Sequence, residues 1–261
     1  MARVAAQLTN FTAGELSPRL DGRNDLPKYS AGCATVENMV VYPHGAAARR
    51  PGTTYIAEVK NSAKSTRLIP FEFSTTQTYV LEFSDQIIRF YKDNGQILSS
   101  GSAYEISSPY LEAELFDIKF AQSADIMYIT HPSHKTRTLS RTGHTSWTLA
   151  EVDFTNGPFL DSNITTTTLT PASSGTGTGV NITASAVTGI NGGSGFLATD
   201  VGRQIHFNSG YATITSRTST TVVVVTITTA FTNTNAITNW FLGAFSDTTG
   251  HPACVTFFEQ R

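Results

Sequence analysis

The sequence predicts a mainly β protein, and three observations carry that prediction. Short β-branched or aromatic runs, bounded by turn residues, recur about every 8–12 residues through the middle of the chain. Beyond residue 200, Val201–Phe207, Tyr211–Arg217 and Thr220–Ala230 carry strong strand patterns. Over the first fifty residues proline and glycine fall too densely for any long helix.

Residues 1–52 read as an extended N-terminal arm with a few turns and one short strand near Thr35–Tyr42. The punctuation is Gly14, Pro18, Gly22, Pro27, Gly32, Pro43, Gly45, Pro51 and Gly52. Residues 53–160 read as a β-rich domain with strands at Arg67–Phe73, Gln77–Phe83, Gln86–Tyr91, Asp125–Ile129, Lys135–Ser140 and Ser146–Val152. Ser84-Asp85 and Asp93-Asn94-Gly95 are hairpin-type connections. One helix is expected at Tyr110–Phe116, capped by Ser108 with Pro109 at its first position. The spacing leaves a sandwich, a barrel or propeller blades open. As blades, residues 67–98 and 117–152 would each supply four strands.

Residues 161–245 change composition sharply. Their only charged residues are Asp161, Asp200, Arg203 and Arg217. Thr165–Thr168 and Ser173–Gly179 read as linker, whereas Val201–Phe207, Tyr211–Arg217 and Thr220–Ala230 read as strands, with Val222–Val225 buried. This predicts a small β-sandwich or barrel module inserted into the larger domain. Asn239–Gly243 and Val255–Phe258 resume the aromatic style of the second region, and the larger domain is expected to continue at 246–261.

Bulk properties narrow the function. Charged residues make up 15% of the 261, against roughly 25% in average domains. A net charge of −2 argues against a broad basic face that grips nucleic acid, but not against a conduit that surrounds DNA. Cys33 and Cys254 stand far apart without metal spacing and read as buried free thiols. No run approaches 18 apolar residues, so no membrane span is expected. The opening Met1–Leu8 has no sustained apolar core and does not read as a secretory signal. The chain is therefore expected in the cytoplasm until a larger assembly takes it up.

Candidate chemistry is sparse. His131-Pro-Ser-His134, with His144 nearby, reads as a polar turn rather than a metal site, since a catalytic metal needs three ligands on one rigid surface. Glu112 and Glu114 would sit on different faces of a short helix, and Asp21/Asp25 lack any sign of a facing cleft. There is no GxSxG elbow and no phosphate loop. The run Gly175-Thr-Gly177-Thr-Gly179 is too repetitive for a dinucleotide turn. The reading is therefore non-enzymatic, with no cofactor and no metal. Arg49-Arg50 reads either as a solvated turn or as a pair facing a DNA lumen or a neighbour's acids.

The series Phe11-Thr-Ala-Gly14-Glu15-Leu-Ser-Pro18, Gly22-Arg23-Asn-Asp25, Lys28-Tyr29, Gly32-Cys33, Glu37-Asn38, Pro43-His-Gly45 and Arg49-Arg50-Pro-Gly52 resembles the opening of a bacteriophage family. Its members are called tail nozzle, tail tubular protein B or phage stabilization proteins. The likeness continues more loosely through Phe120–Asp125, Met127–Pro132 and Trp147. It resumes at Gly250-His-Pro252 and Val255–Arg261. It implies a partial propeller-like β-domain in a ring, hexameric by family expectation, below the tail adaptor of a short-tailed phage. Double-stranded DNA would pass through that ring without sequence-specific contact. The protein would be assembled in the host cytoplasm and reside in the virion tail. Phe11, Gly14, Glu15, Pro18, Arg23, Asp25, Tyr29, Asn38, Arg49 and Arg50 are the assembly residues this implies. Such proteins are usually much longer, so the chain is expected to be a front portion with unpaired strand edges. The alternative is a receptor- or glycan-binding tail module built on residues 161–245. A tail-associated hydrolase is the third reading, and it lacks a nucleophile motif.

Overall fold

The computed structural model describes residues 8–74 and 76–258. The readings placed on Met1–Gln7 and on Glu259–Arg261 fall outside the described residues. The chain forms two compact units, Met1–Tyr55 and Ile56–Arg261. It is mainly β, as the alternation predicted, and among the described residues helical structure is limited to short 3-10 turns.

The first unit departs from an extended arm. It holds four short strands, β1 (Gly14–Glu15), β2 (Gly32–Cys33), β3 (Met39–Val41) and β4 (Ala47–Arg49), and two 3-10 turns, Pro18–Leu20 and Tyr29–Ala31. Strands β1 and β2 pair in parallel, and β3 and β4 form a hairpin. The backbone satisfies itself across the unit, through Phe11 N–H on the Gly45 carbonyl (2.9 Å) and Ala13 N–H on the Ala31 carbonyl (3.0 Å). Bends that looked like an unpaired arm in sequence are closures between distant turns.

The second unit opens with an antiparallel meander of β5 (Arg67–Ser74), β6 (Gln77–Ser84) and β7 (Ile87–Lys92). Three short strands follow, β8 (Gly95–Gln96), β9 (Leu98–Ser99) and β10 (Ser102–Ala103), and then β11 (Glu105–Ser107) pairs back onto β7. A second meander runs through β12 (Lys119–Ser123), β13 (Ile126–His131), β14 (His134–Gly143) and β15 (Ser146–Glu151). Phe71, Leu81, Phe83, Phe90, Met127, Ile129, Leu139 and Trp147 from both meanders share one buried core. Alternation along β6 and β13 places these side chains inward.

The expected helix at Tyr110–Phe116 is a single 3-10 turn, Glu112–Glu114. The segment ahead of it is bound to the sheet instead. Ser108 N–H donates to the Gln86 carbonyl and Gln86 N–H to the Tyr110 carbonyl, both at 2.9 Å. Leu111 is extended, and Glu114 rather than Ser108 caps the turn.

A third set of strands builds one six-stranded antiparallel sheet. Its members are β16 (Leu169–Pro171), β17 (Gly177–Ala184), β18 (Gln204–Phe207), β19 (Gly210–Arg217), β20 (Val222–Thr229) and β21 (Trp240–Leu242). Its ends meet: Leu169 exchanges two backbone hydrogen bonds, 2.9 and 3.0 Å, with Ile237 just ahead of the opposite edge strand. Ile182, Phe196, Ile205, Val223, Val225 and Trp240 fill a core of their own. Val223 and Val225 are buried but Val222 and Val224 only half so. The run is thus an alternating strand, not one buried on both faces. Two segments read as linker are ordered. Gly177–Gly179 begins β17 across a register shift. Thr165 and Thr167 are tied down by the Asn163 amide, which donates to both carbonyls at 3.1 Å. Cys33 and Cys254 are free thiols, but Cys33 is half-buried and Cys254 exposed. Neither lies in one of the two apolar cores that would have enclosed it.

Candidate functional site

Most motif residues of the first unit are fixed by local hydrogen bonds, in several separate sets. Gly14 adopts φ +65° and closes a turn onto Phe11, its N–H donating to the Phe11 carbonyl at 2.9 Å. Glu15 extends from β1 and accepts the Val36 N–H at 2.9 Å. Pro18 starts a 3-10 turn behind the Ser17 cap. Tyr29 accepts the Gly22 N–H on its hydroxyl at 3.0 Å. Gly45 sits at φ +103° with Asn10 packed against it, where a side chain would be strained.

Arg23 grips Asp25 with two bonds of 2.7 and 2.6 Å, and the Arg23 hydrogen bond holds the Asp25 carboxyl below its usual range. Both side chains are more than half exposed, so the pair fixes a loop shape more than it adds stability. Asn38, in the left-handed region at φ 55°, accepts Arg50 twice. Arg50 N–H reaches the Asn38 carbonyl and its Nε reaches Oδ1, both at 3.0 Å. Arg49 stands exposed in β4 opposite Met39. The two arginines therefore differ: one locks a hairpin base and one faces outward.

Among its described residues this unit buries no side chain beyond the half-buried class; only Gly45 is fully enclosed. Leu8, Met39, Val40, Tyr42 and Tyr55 are exposed. Its order comes from turns, hydrogen bonds and half-buried side chains such as Phe11, Leu16 and Val41, and several apolar side chains still face solvent.

The acidic pairs do not act as pairs. Glu112 accepts the Ser65 N–H at 2.7 Å, while Glu114 turns away toward His134. Asp25 is committed to Arg23, and Asp21 ends the first 3-10 turn. A cleft of about 250 Å³ is lined by Lys135, Glu151, Gln204, Asp247 and His251 among others. Four of the groups that line it are matched in pairs, Lys135 with Glu151 at 3.1 Å and His251 with Asp247 at 2.9 Å.

The sequence predicts a polar turn at the histidine segment, with His144 nearby. His144 instead bonds the Tyr79 hydroxyl at 2.7 Å through Nδ1. The third member of the cluster is Glu114, which sequence alternation did not reveal. Its Oε2 lies 2.7 Å from Nε2 of His134 and accepts the Leu111 N–H at 2.8 Å. Burial lowers the pKa of His131, outweighing the pull of Glu114. Its Nδ1 accepts the Ser133 N–H at 3.1 Å.

A one-residue register shift in the β13–β14 hairpin builds this arrangement. Ile129 pairs with Arg137, and continuing that register would set Lys135 opposite His131. The structure pairs His131 with His134 instead. The extra residue on β14 brings the second imidazole inward and sends Lys135 to the surface.

The geometry defines a mainly β protein. No family model matches the chain, and no curated protein matches it.

Proposed function

We propose that the chain is a non-enzymatic structural subunit of a short-tailed phage tail, part of a nozzle or tail-tube ring that lines the DNA exit path. The observation that carries this reading is the first unit. Its ordered motif residues fix a defined backbone, yet among its described residues no apolar side chain is more than half-buried and Met39, Val40 and Tyr42 are exposed. Such a unit gains its missing burial from a partner surface, as an assembly element does. The residues that resemble the phage family, from Phe11 to Arg50, are those that build it.

Two further features support the reading. The meanders β5–β7 and β12–β15 are consecutive up-and-down antiparallel sheets, the repeating form of propeller blades. In this reading residues 161–245 form a β-module inserted between β15 and a return segment at 246–261. The low net charge suits a wall that lets DNA pass without holding it. A hexameric ring seated below the tail adaptor is the matching partner arrangement.

The test is particle-based. Virions assembled without this subunit should lose packaged DNA or stop at incomplete tails. Intact, infectious particles lacking it would refute the reading. The native mass of the purified chain and imaging of any ring it forms check the oligomer directly.

A further inference from the structure

The tail reading makes no use of the cluster at the β13–β14 turn, and the following inference does not depend on that reading. Glu114 offers a carboxylate oxygen, and His131 and His134 each offer a ring nitrogen. One such atom from each residue lies within 4.8 Å of the others. Around a tetrahedral zinc ion, with bonds near 2.0–2.2 Å, neighbouring ligand atoms stand roughly 3.3 Å apart. The atoms present bracket that spacing, with His134 Nε2 and Glu114 Oε2 at 2.7 Å and all three within 4.8 Å.

The supports are rigid. His131 and His134 are the terminal cross-strand pair of a two-residue hairpin, with ring centroids 5.1 Å apart. Glu114 is held by the Leu111 N–H at the end of its turn. His131 is buried at 3% exposure, whereas the His134 and Glu114 side chains are 22% and 21% exposed. An ion therefore has a path from solvent to an enclosed nitrogen. Tyr110 packs against both imidazoles, at centroid distances of 6.3 and 5.3 Å. Its hydroxyl is fully buried without a hydrogen-bond partner among the described residues. A buried orphan donor beside a ligand set is a group that a bound species or its water would satisfy.

The geometry points to a binding site for one divalent ion of the zinc type, held by Glu114, His131 and His134 with a fourth position open to water. Two imidazoles and one carboxylate suit zinc, and calcium and magnesium would need oxygen ligands throughout. Binding exchanges the hydrogen bond between His134 and Glu114 for coordination. It ties the Glu112–Glu114 turn to the hairpin.

The experiment uses the full chain, stripped of metal with a chelator and titrated with zinc chloride alone by calorimetry. One equivalent should bind saturably and raise the unfolding temperature, since a ligand that favours the folded state stabilises it. Glu114→Gln and His134→Gln should each weaken binding at least about 10-fold, the lower end of what even outer partners of a metal site contribute. His144→Gln, away from the cluster, should leave binding unchanged. Circular dichroism reports whether each variant is folded. If a variant unfolds, cobalt bound to the unmutated chain decides. A four-coordinate spectrum without a thiolate charge-transfer band supports the site, whereas a six-coordinate spectrum or a thiolate band overturns it. Absence of saturable zinc binding by the folded chain also overturns it, as does binding that both ligand variants leave intact.

Discussion

Asp200 and Arg203 share an ion pair of 3.0 Å while both side chains are sealed from solvent, at 0% and 1% exposure. Asn191 bridges them, donating to Asp200 and accepting from Arg203 at 2.7 Å each. Arg203 also donates to the Gly243 carbonyl at 2.7 Å, and Thr248 donates to Asp200 at 2.8 Å. Burial draws the guanidinium pKa down, and the neighbouring carboxylate opposes it. Arg203→Met should cost about 3–5 kcal/mol, because it leaves a carboxylate buried without its countercharge. The double variant Asp200→Asn with Arg203→Met should recover part of that loss. Urea unfolding measures both. A loss below about 1 kcal/mol for the single variant, the scale of an exposed pair, would count against the pair's role.

Tyr91 gives a pH signature. Its hydroxyl donates to Glu82, a carboxylate with no exposure that also accepts the Lys60 N–H at 2.9 Å. Burial and then Glu82 push the Tyr91 pKa from 10.0 up to about 12. A raised folded-state pKa means the contribution is fully present below 10.0 and is lost as pH climbs toward 12. Tyr91→Phe should be less stable than the unchanged chain at pH 8, and the gap should close across that window. Denaturant midpoints taken at several alkaline pH values test this; a gap that stays constant to pH 12 contradicts it.

The two tryptophans report on different cores. Trp147 stacks on Phe90 at 4.5 Å and meets Phe71 and Tyr79 edge-on, while Trp240 lies in the core of the six-stranded sheet. Trp147→Phe and Trp240→Phe each leave one fluorophore, and their denaturation midpoints should differ because the two clusters are separate. Coincident midpoints would mean the cores unfold as one. Trp147→Ala should cost about 3–5 kcal/mol, as loss of a large core aromatic does.

The hairpin base of the first unit offers a local test. Asn38→Ala removes the Oδ1 acceptor of Arg50 and places a Cβ-only residue at φ 55°. Hydrogen exchange at the Arg50 and Met39–Val41 amides should quicken by about tenfold, the equivalent of 1.4 kcal/mol. Unchanged protection would show that β3 and β4 need no such lock.

The strands were legible because alternation is a local property. Gln77–Ser84 and Ser146–Glu151 match their sequence limits within a residue or so. What escaped was set by single residues or by distant ones. The β14 bulge swaps His134 for Lys135, and no alternation pattern encodes an insertion of one. The helix expected at Tyr110–Phe116 failed because Gln86, far back in the chain, claims its backbone groups. The first unit looked like an arm because its strands are two or three residues long and its closures are non-local. Asp200 and Arg203 did leave a trace: two of the four charges in residues 161–245 stand three apart. In so charge-poor a segment, that spacing marks a buried pair.

The six-stranded sheet enters and leaves side by side. Leu160 N–H bonds the Leu242 carbonyl, Asn163 N–H the Trp240 carbonyl and Ala244 N–H the Pro158 carbonyl, at 2.8 to 2.9 Å. The segment thus has adjacent ends and a core of its own. In topological terms it is a closed loop: its entry and exit are clasped to each other by backbone bonds, so loosening one edge strand would release both ends together.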